Sequence, residues 1–336
     1  MENHEHALLE IEGLKTYFKT KQGTGKVVDG IDLTLNKGET LGIVGESGCG
    51  KSMTSLSILQ LIPHPGKIVG GHVRLNGEDL AHKSEKEMRR IRGNQISMIF
   101  QEPMTSLNPV ITIGEQIAET IRQHQKVGRK ESHVRAVEML KLVGIPSPEK
   151  RAKQEPYQLS GGMRQRVMIA MSLACNPEVL IADEPTTALD VTVQSQILKL
   201  MKNLQKQIDM GIIFITHDLG VVAETCDNVA VMYAGEIIEH STTKELFKSP
   251  KHPYTQGLLN SLPRLNEDQD ELIAMKGSIP SPMYEHIGCK FAERCPVAQP
   301  ECFEKKPELI EYDDGEYKVR CFVFDKNKKK GEEVYE

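Results

Sequence analysis

The stretch of sequence that decides the fold is Gly45-Glu46-Ser47-Gly48-Cys49-Gly50-Lys51-Ser52. It matches the pattern G-x-x-x-x-G-K-S/T and lies between an apolar run, residues 40–44, and a segment with helical spacing, residues 52–61. The glycines let the backbone curl, so that successive N–H groups and the helix N-terminus face phosphate oxygens. In this pattern the lysine ammonium lies between the β- and γ-phosphates and the serine hydroxyl binds Mg²⁺, while Cys49 fills space. We therefore expect a site for nucleotide phosphates; an incidental glycine-rich turn is the alternative.

Strands and helices alternate outward from this loop. Residues 8–12 and 28–35 alternate apolar with polar residues, which is typical of half-buried antiparallel strands. Residues 101–158 are mostly helical by periodicity. The elements predicted after them, in the order helix, strand, helix, strand, are residues 161–174, 179–182, 191–208 and 211–216. Strands that alternate with helices imply a parallel sheet, so we expect an α/β fold.

The composition is that of a globular protein with a sizeable core. The chain has 336 residues, 39% apolar and 26% charged, and its 42 basic and 47 acidic residues give a net charge of −5. That balance argues against a nucleic-acid-binding protein, which usually has a basic face. No apolar run approaches the roughly 20 residues of a membrane-spanning helix, and residues 1–10 do not have the pattern of a signal peptide. These features predict a cytosolic protein.

Two further motifs carry polar groups suited to phosphate chemistry. An apolar run ends in Asp183 and Glu184. In phosphate-binding enzymes of this kind, such an aspartate helps to hold Mg²⁺, and the adjacent glutamate is placed to polarise the attacking water. Ser160 can cap the helix that follows it, and Gly161 and Gly162 allow the backbone to approach an anion.

The most informative string is Leu159-Ser160-Gly161-Gly162-Met163-Arg164-Gln165. With it, the chain resembles an ATP-binding cassette (ABC) transporter ATPase over about residues 7–245. The resemblance implies a P-loop fold of the ABC type, with a parallel core sheet, an antiparallel β subdomain and a helical subdomain at about residues 101–165. It also implies ATP and Mg²⁺ as cofactors, bound by the P-loop residues 45–52 and by Asp183.

The resemblance assigns roles to other residues one by one. Gln101 is similar to the Q-loop glutamine, which senses Mg²⁺ and water and faces the membrane partner. Asp190 resembles the D-loop aspartate, and His217 resembles the switch histidine that contacts the γ-phosphate. Phe18 lies where the family has an aromatic ring against adenine, although Tyr17 is next to it.

A mechanism with several partners is also implied. Two cassettes of this family associate head to tail, so Ser160, Gly161 and Gly162 would contact ATP bound to the partner cassette. That partner is either a paralogue or a second copy. Closure on ATP would move two membrane permease subunits, which places the chain at the cytoplasmic face of the cell membrane as a peripheral protein. Glu184, Gln101 and His217 would carry out hydrolysis.

Several strings resemble one branch of the family, the ATPases of dipeptide, oligopeptide and nickel importers. They are Gly42–Gly48, Gln101–Pro109, His252-Pro253-Tyr254-Thr255 and Gly277-Ser278-Ile279-Pro280. Peptide import is the leading interpretation, with an external peptide-binding protein as an indirect partner. Nickel or another small solute, a non-transport ABC ATPase acting in translation or DNA repair, and an exporter ATPase are the alternatives. The last two fit less well, because there is no tandem cassette and because an exporter has no obvious use for the tail.

The sequence changes character after residue 250. Short segments rich in proline, glycine and charge follow, so we expect a nucleotide-binding domain at residues 1–250 and a small C-terminal domain at residues 251–336. Four of the seven cysteines lie in this tail, namely Cys289, Cys295, Cys302 and Cys321. Four thiolates suit an iron–sulfur cluster or a zinc ion, and free thiols are the third possibility. Zinc sites usually have closer cysteine pairs, and some similar peptide-importer ATPases have a 4Fe–4S cluster here, so a cluster is the leading prediction.

Overall fold

The computed structural model describes residues 7–101, 106–186, 190–261, 275–312 and 317–324, and strands alternate with helices along them. The strands are β1 (Leu9–Thr20), β2 (Gly23–Leu35), β3 (Thr40–Val44), β4 (Gly66–Leu75), β5 (Glu78–Asp79), β6 (Ile96–Ile99), β7 (Val179–Asp183), β8 (Gly211–Thr216), β9 (Asn228–Tyr233), β10 (Glu236–Thr242), β11 (Ile310–Tyr312) and β12 (Tyr317–Val319). The α-helices are α1 (Lys51–Ile58), α2 (Glu85–Ile91), α3 (Ile113–His124), α4 (Arg129–Leu142), α5 (Pro148–Arg151), α6 (Gly161–Leu173), α7 (Val191–Ile208), α8 (Leu219–Thr225), α9 (Thr243–Lys248), α10 (Pro253–Asn260) and α11 (Glu301–Glu304). None of the helices in these stretches is long and apolar enough to cross a bilayer.

The chain forms two compact units, each assembled from separate stretches of sequence. The first unit consists of Met1–Glu10, Thr34–Thr40 and Arg74–Ile215. The second unit consists of Ile11–Leu33, Leu41–Val73 and Thr216–Glu336.

The first unit contains the parallel strands β6, β7 and β8. Ile96 lies opposite Val179, and Val179 lies opposite Gly211. Every residue of β7 and β8 is buried, as expected of parallel strands that are covered on both faces. The apolar runs in the sequence therefore predicted these two strands correctly.

Helices of the first unit pack against one another, and α3, α4 and α6 are in mutual contact. The buried residues Ile113, Ile117 and Ile121 recur every four positions along α3, which places them on one face of the helix. This region confirms the predicted helical character of the segment between β6 and β7. Residues 102–105, part of the sequence string that resembles peptide importers, lie outside the described residues.

The second unit contains the strand that leads into the glycine-rich loop. β3 is buried along its whole length and runs parallel to β9, with Val44 opposite Val231. β10 continues the sheet antiparallel to β9. In the other sheet, β2, β1 and β4 lie side by side. β1 and β2 are joined by only two residues, which requires an antiparallel hairpin.

The tail belongs to the second unit rather than forming a compact unit of its own. β12 pairs antiparallel with β10, with Val319 opposite Glu239, and β11 pairs with β12. Val319 is fully buried among Tyr312, Tyr317 and Cys321. The short strands that follow the change in composition after residue 250 therefore extend an existing sheet.

This pairing predicts that the tail contributes to the stability of the whole second unit. The Val319→Ala variant should lower the free energy of unfolding by about 2 kcal/mol, the gain from burying a valine side chain. Denaturant unfolding followed by circular dichroism measures the change. Val297, which is 49% exposed in the same tail, supplies the control Val297→Ala. Equal stability of the two variants would mean that the tail unfolds independently.

Candidate functional site

The glycine-rich loop connects the buried strand β3 to helix α1. Gly45 and Gly50 have φ angles of 153° and 111°, which other residues rarely adopt. A Cβ at Gly45 would lie 2.2 Å from the carbonyl oxygen of Met232, and a Cβ at Gly50 would lie 2.7 Å from that of Val27. The loop conformation therefore requires glycine at both positions, because backbone atoms that cannot move occupy the space of a side chain.

The lysine of the loop is buried and folds back over the loop. The Lys51 ammonium donates hydrogen bonds to the carbonyl oxygens of Gly45 (2.7 Å) and Glu46 (3.0 Å). The positive charge and the N-terminus of α1, which begins at Lys51, meet at this loop, an arrangement that attracts anions. Cys49 is buried in the loop, and burial raises the pKa of its thiol.

Two residues of the tail contact the same loop. The Glu46 carboxylate accepts hydrogen bonds from both Nη atoms of Arg294, at 2.8 and 2.9 Å. The Glu46 backbone N–H donates a hydrogen bond to the Tyr254 hydroxyl at 2.8 Å. The sequence analysis did not predict these contacts, since no local pattern connects residues that are 248 and 208 positions apart.

The two candidate aromatic residues for the nucleotide base are in different environments. The Tyr17 hydroxyl donates a hydrogen bond to Asp29 Oδ1 at 2.6 Å, and burial together with this bond raises the pKa of Tyr17. Phe18 lies beside Gly66, and a Cβ at Gly66 would lie 2.5 Å from the Phe18 ring. The Tyr17 hydroxyl is therefore engaged by Asp29, whereas Phe18 packs closely against the backbone at Gly66.

In the first unit, an amide and a carboxylate meet where parallel strands end. Asp183 is the buried last residue of β7. Glu184 follows it with φ 46°, in the left-handed region, and its N–H donates to the Ile215 carbonyl at 2.9 Å. Gln101, which lies just after the neighbouring strand β6, donates from Nε2 to Glu184 Oε2 at 2.8 Å. Strained backbone of this kind often occurs at active sites, and the pair can orient water and bind a cation.

The serine-glycine-glycine motif begins helix α6. The Ser160 hydroxyl caps the helix by accepting a hydrogen bond from the Met163 N–H at 3.4 Å. A Cβ at Gly162 would lie 2.9 Å from Val193 Cγ1, whereas a Cβ at Gly161 would have no atom within 4 Å. Gly162 thus serves helix packing, and Gly161 faces open space.

Asp190 and His217 are the remaining predicted site residues. Asp190 caps α7 by accepting a hydrogen bond from the Val193 N–H at 2.9 Å. Gln165 of α6 donates to the carbonyl of Pro185, directly after Glu184. Within the first unit, α6, α7 and the Glu184 loop are therefore connected. His217 is exposed, follows β8 and belongs to the second unit.

The four tail cysteines line one cavity, together with His252 and Phe291. Burial raises the pKa of Cys289, Cys295 and Cys321, and neighbouring cysteines raise these pKa values further. Among the described residues, no three of the cysteine sulfurs lie within 4.8 Å of one another. The four side chains therefore share one cavity without forming a close cluster of three sulfurs.

Comparison with known proteins gives consistent matches over most of the chain. The family model described as "ABC transporter" matches residues 28–187, and "Oligopeptide/dipeptide transporter, C-terminal region" matches residues 238–302. The oligopeptide transport ATP-binding protein AppD of Bacillus subtilis is 52% identical over 95% of this chain and 97% of its own length. The dipeptide transport ATP-binding protein DppD of the same organism is 50% identical over 95% of both chains.

Solved structures show the same fold. A dimeric structure of MJ0796, described as a bacterial ABC transporter cassette, has a TM-score of 0.63 and 28% identity, covering 70% of this chain and 98% of that one. CbiO1 from Clostridium perfringens, part of the transporter complex cbiONQ, has a TM-score of 0.62 and 30% identity, covering 73% of this chain and 92% of its own.

The difference between the adjacent glycines of α6 predicts different effects on stability. Gly162→Ala should be about 2 kcal/mol less stable than Gly161→Ala, because its methyl group would overlap the stiff Val193 side chain. Thermal unfolding of the two variants and the parent measures this difference. Equal melting temperatures for both variants would contradict the described packing of α6 on α7.

Proposed function

The chain belongs to the ABC transporter family and resembles its oligopeptide and dipeptide transport ATP-binding proteins, and we propose that it hydrolyses ATP to drive peptide import. The observation that carries this proposal is the 52% identity to an oligopeptide transport ATP-binding protein over 95% of the chain. The match of residues 238–302 to the C-terminal region of such transporters adds to it. We also propose that the division near residue 250 separates the ATPase part from a part peculiar to these importers.

The glycine-rich loop supplies phosphate binding in this proposal. The backbone N–H groups of residues 45–52 donate to phosphate oxygens, and the buried Lys51 ammonium turns from the loop carbonyls to the β- and γ-phosphates. Ser52 in the second unit, and Gln101 and Asp183 in the first, would offer oxygen ligands to Mg²⁺, which would neutralise phosphate charge when bound. Phe18 stacks on the adenine base.

Hydrolysis requires an activated water molecule. Glu184 accepts a proton from the attacking water, while its hydrogen bond with Gln101 fixes the carboxylate orientation. His217 donates a hydrogen bond to the γ-phosphate and stabilises the charge that develops there.

The open surface at the start of α6 supports the proposal of a partner cassette. Because Gly161 faces open space, a phosphate of ATP on a second cassette can approach Ser160, Gly161 and Gly162, with Asp190 at the next helix start. That second cassette is a paralogue or another copy of this chain. Two permease subunits at the cytoplasmic face of the membrane receive the motion, and an external binding protein delivers the peptide.

Removing the proposed base should separate ATP binding from hydrolysis. Glu184→Gln should lower the hydrolysis rate by about 100-fold or more, the scale of general-base catalysis, and should leave ATP binding intact. Phosphate release and equilibrium binding of ATP measure the two properties. Glu149→Gln, which changes an exposed carboxylate in α5, should hydrolyse ATP like the parent. Full activity in Glu184→Gln would exclude Glu184 as the base.

Import is tested by reconstitution with the permease subunits in vesicles. ATP hydrolysis should rise when a peptide-loaded binding protein is added, and radiolabelled peptide should accumulate inside only with ATP. Stimulation by ribosomes or DNA ends, without stimulation by permeases, would contradict the proposal.

We also propose that the four-cysteine cavity holds an iron–sulfur cluster. The convergence of Cys289, Cys295, Cys302 and Cys321 on one cavity supports this. Iron bound there would be held by the four cysteines as thiolates. A bound cluster would cross-link the tail segments 289–302 and 321.

The cluster is tested by metal and acid-labile sulfide analysis of protein purified without oxygen. About four irons and four sulfides per chain are expected, consistent with four cysteine ligands. Cys289→Ser should lose visible absorbance and iron. Cys175→Ser, a buried cysteine of the first unit, should keep both. One zinc per chain, or no metal in protein that binds ATP, would contradict the cluster.

A further inference from the structure

Glu46 is the residue of the glycine-rich loop that the tail contacts. Its side chain forms a bidentate ion pair with Arg294, and its N–H is bound by Tyr254. The Arg294 side chain is only 7% exposed and that of Glu46 is 29% exposed. Hydrogen bonds with Glu46 raise the pKa of Arg294. A partly buried, bidentate ion pair of this kind fixes the relative position of the two side chains much better than a single exposed contact does.

The two contacting residues are themselves held rigidly. The Tyr254 and Phe291 rings contact Tyr233, the last residue of β9, with centroids 4.7 and 5.3 Å from its ring. The Arg294 guanidinium donates to the Tyr233 hydroxyl at 3.2 Å. Edge-to-face ring packing fixes the orientation of each partner. These contacts build a rigid support behind the loop.

The start of α10 is fixed from β10. The buried Glu239 carboxylate accepts hydrogen bonds from the backbone N–H groups of Lys251, at 2.6 Å, and His252, at 3.1 Å. The His252 ring in turn accepts a hydrogen bond from the Tyr254 N–H at 3.0 Å. Because Tyr254 lies in the first turn of α10, these buried contacts fix the position of its hydroxyl next to Glu46.

The negative charge of the Glu46 carboxylate explains why the loop needs this support. Glu46 places a carboxylate within a loop whose proposed ligand is a highly charged anion, and an unpaired carboxylate there would repel phosphate. Arg294 neutralises this charge. The Glu46 carbonyl also accepts from Lys51, so displacement of Glu46 would move the lysine as well.

We propose that Arg294 and Tyr254 are positioning residues for ATP binding, which hold Glu46 in place and keep its carboxylate away from the nucleotide phosphates. This inference rests on the proposed ATP site. It gives the tail a role in the ATPase reaction that is separate from any cluster, because neither Arg294 nor Tyr254 is one of the four cysteines.

The test is equilibrium binding of MgATP to the full chain. Arg294→Gln should weaken ATP binding about tenfold, which corresponds to about 1.4 kcal/mol, with unchanged kcat for bound ATP. The Glu46→Gln/Arg294→Gln double variant should bind ATP more tightly than Arg294→Gln alone, because the repelling carboxylate is gone. A merely structural ion pair would lower the melting temperature without this recovery.

Two further variants make the test independent of folding defects. Tyr254→Phe keeps the ring packing but removes the hydroxyl, and should weaken ATP binding several-fold. Lys318→Gln breaks the Lys318–Glu311 ion pair of the same tail, at 2.7 Å, and should bind ATP like the parent. Circular dichroism confirms the fold of each.

The outcomes separate the two proposals. If the parent chain does not bind MgATP, the proposed function fails. If the parent binds and folded Arg294→Gln and Tyr254→Phe bind equally well, the positioning role is overturned. If the double variant binds no better than Arg294→Gln, charge neutralisation by Arg294 is overturned.

Discussion

The backbone of the glycine-rich loop, closed by Lys51 on the carbonyls of Gly45 and Glu46, is the constraint on which the rest of the second unit depends. It exists only because glycine at positions 45 and 50 lets the chain pass within van der Waals distance of other backbone. The buried parallel strands β3 and β9 support the loop. Ordering a loop whose N–H groups converge costs conformational entropy. The many buried contacts around the loop offset this cost.

The first unit contains a different feature, namely a hydrogen-bonded carboxylate and amide at the ends of parallel strands. Glu184 lies at the end of a fully buried strand, in a strained conformation, against Gln101 of the neighbouring strand end. Parallel strands bring such groups together because their carboxyl ends share one edge. The hydrogen bond from Gln165 to the Pro185 carbonyl connects this loop to helix α6.

The sequence predicted most of the fold and the local motifs, and it missed the long-range contacts. Residues 191–208 and 211–216 were predicted with the observed ends, since apolar periodicity and caps are local signals. The β10–β12 pairing and the Glu46–Arg294 ion pair were not predicted, because each joins distant segments and neither leaves a periodic pattern. The tail, which the sequence predicts to be a small separate domain, extends a sheet of the second unit with β12 and β11.

The central claim is that this loop binds the phosphates of ATP, and equilibrium dialysis of MgATP against the Lys51→Ala variant tests it most directly. The account predicts that the parent binds ATP and that Lys51→Ala binds it at least about tenfold more weakly, because one charge-assisted contact is lost. Lys37→Ala, which removes a surface lysine paired with Asp209, should bind like the parent. Equal ATP affinity in folded Lys51→Ala and parent proteins would contradict the account.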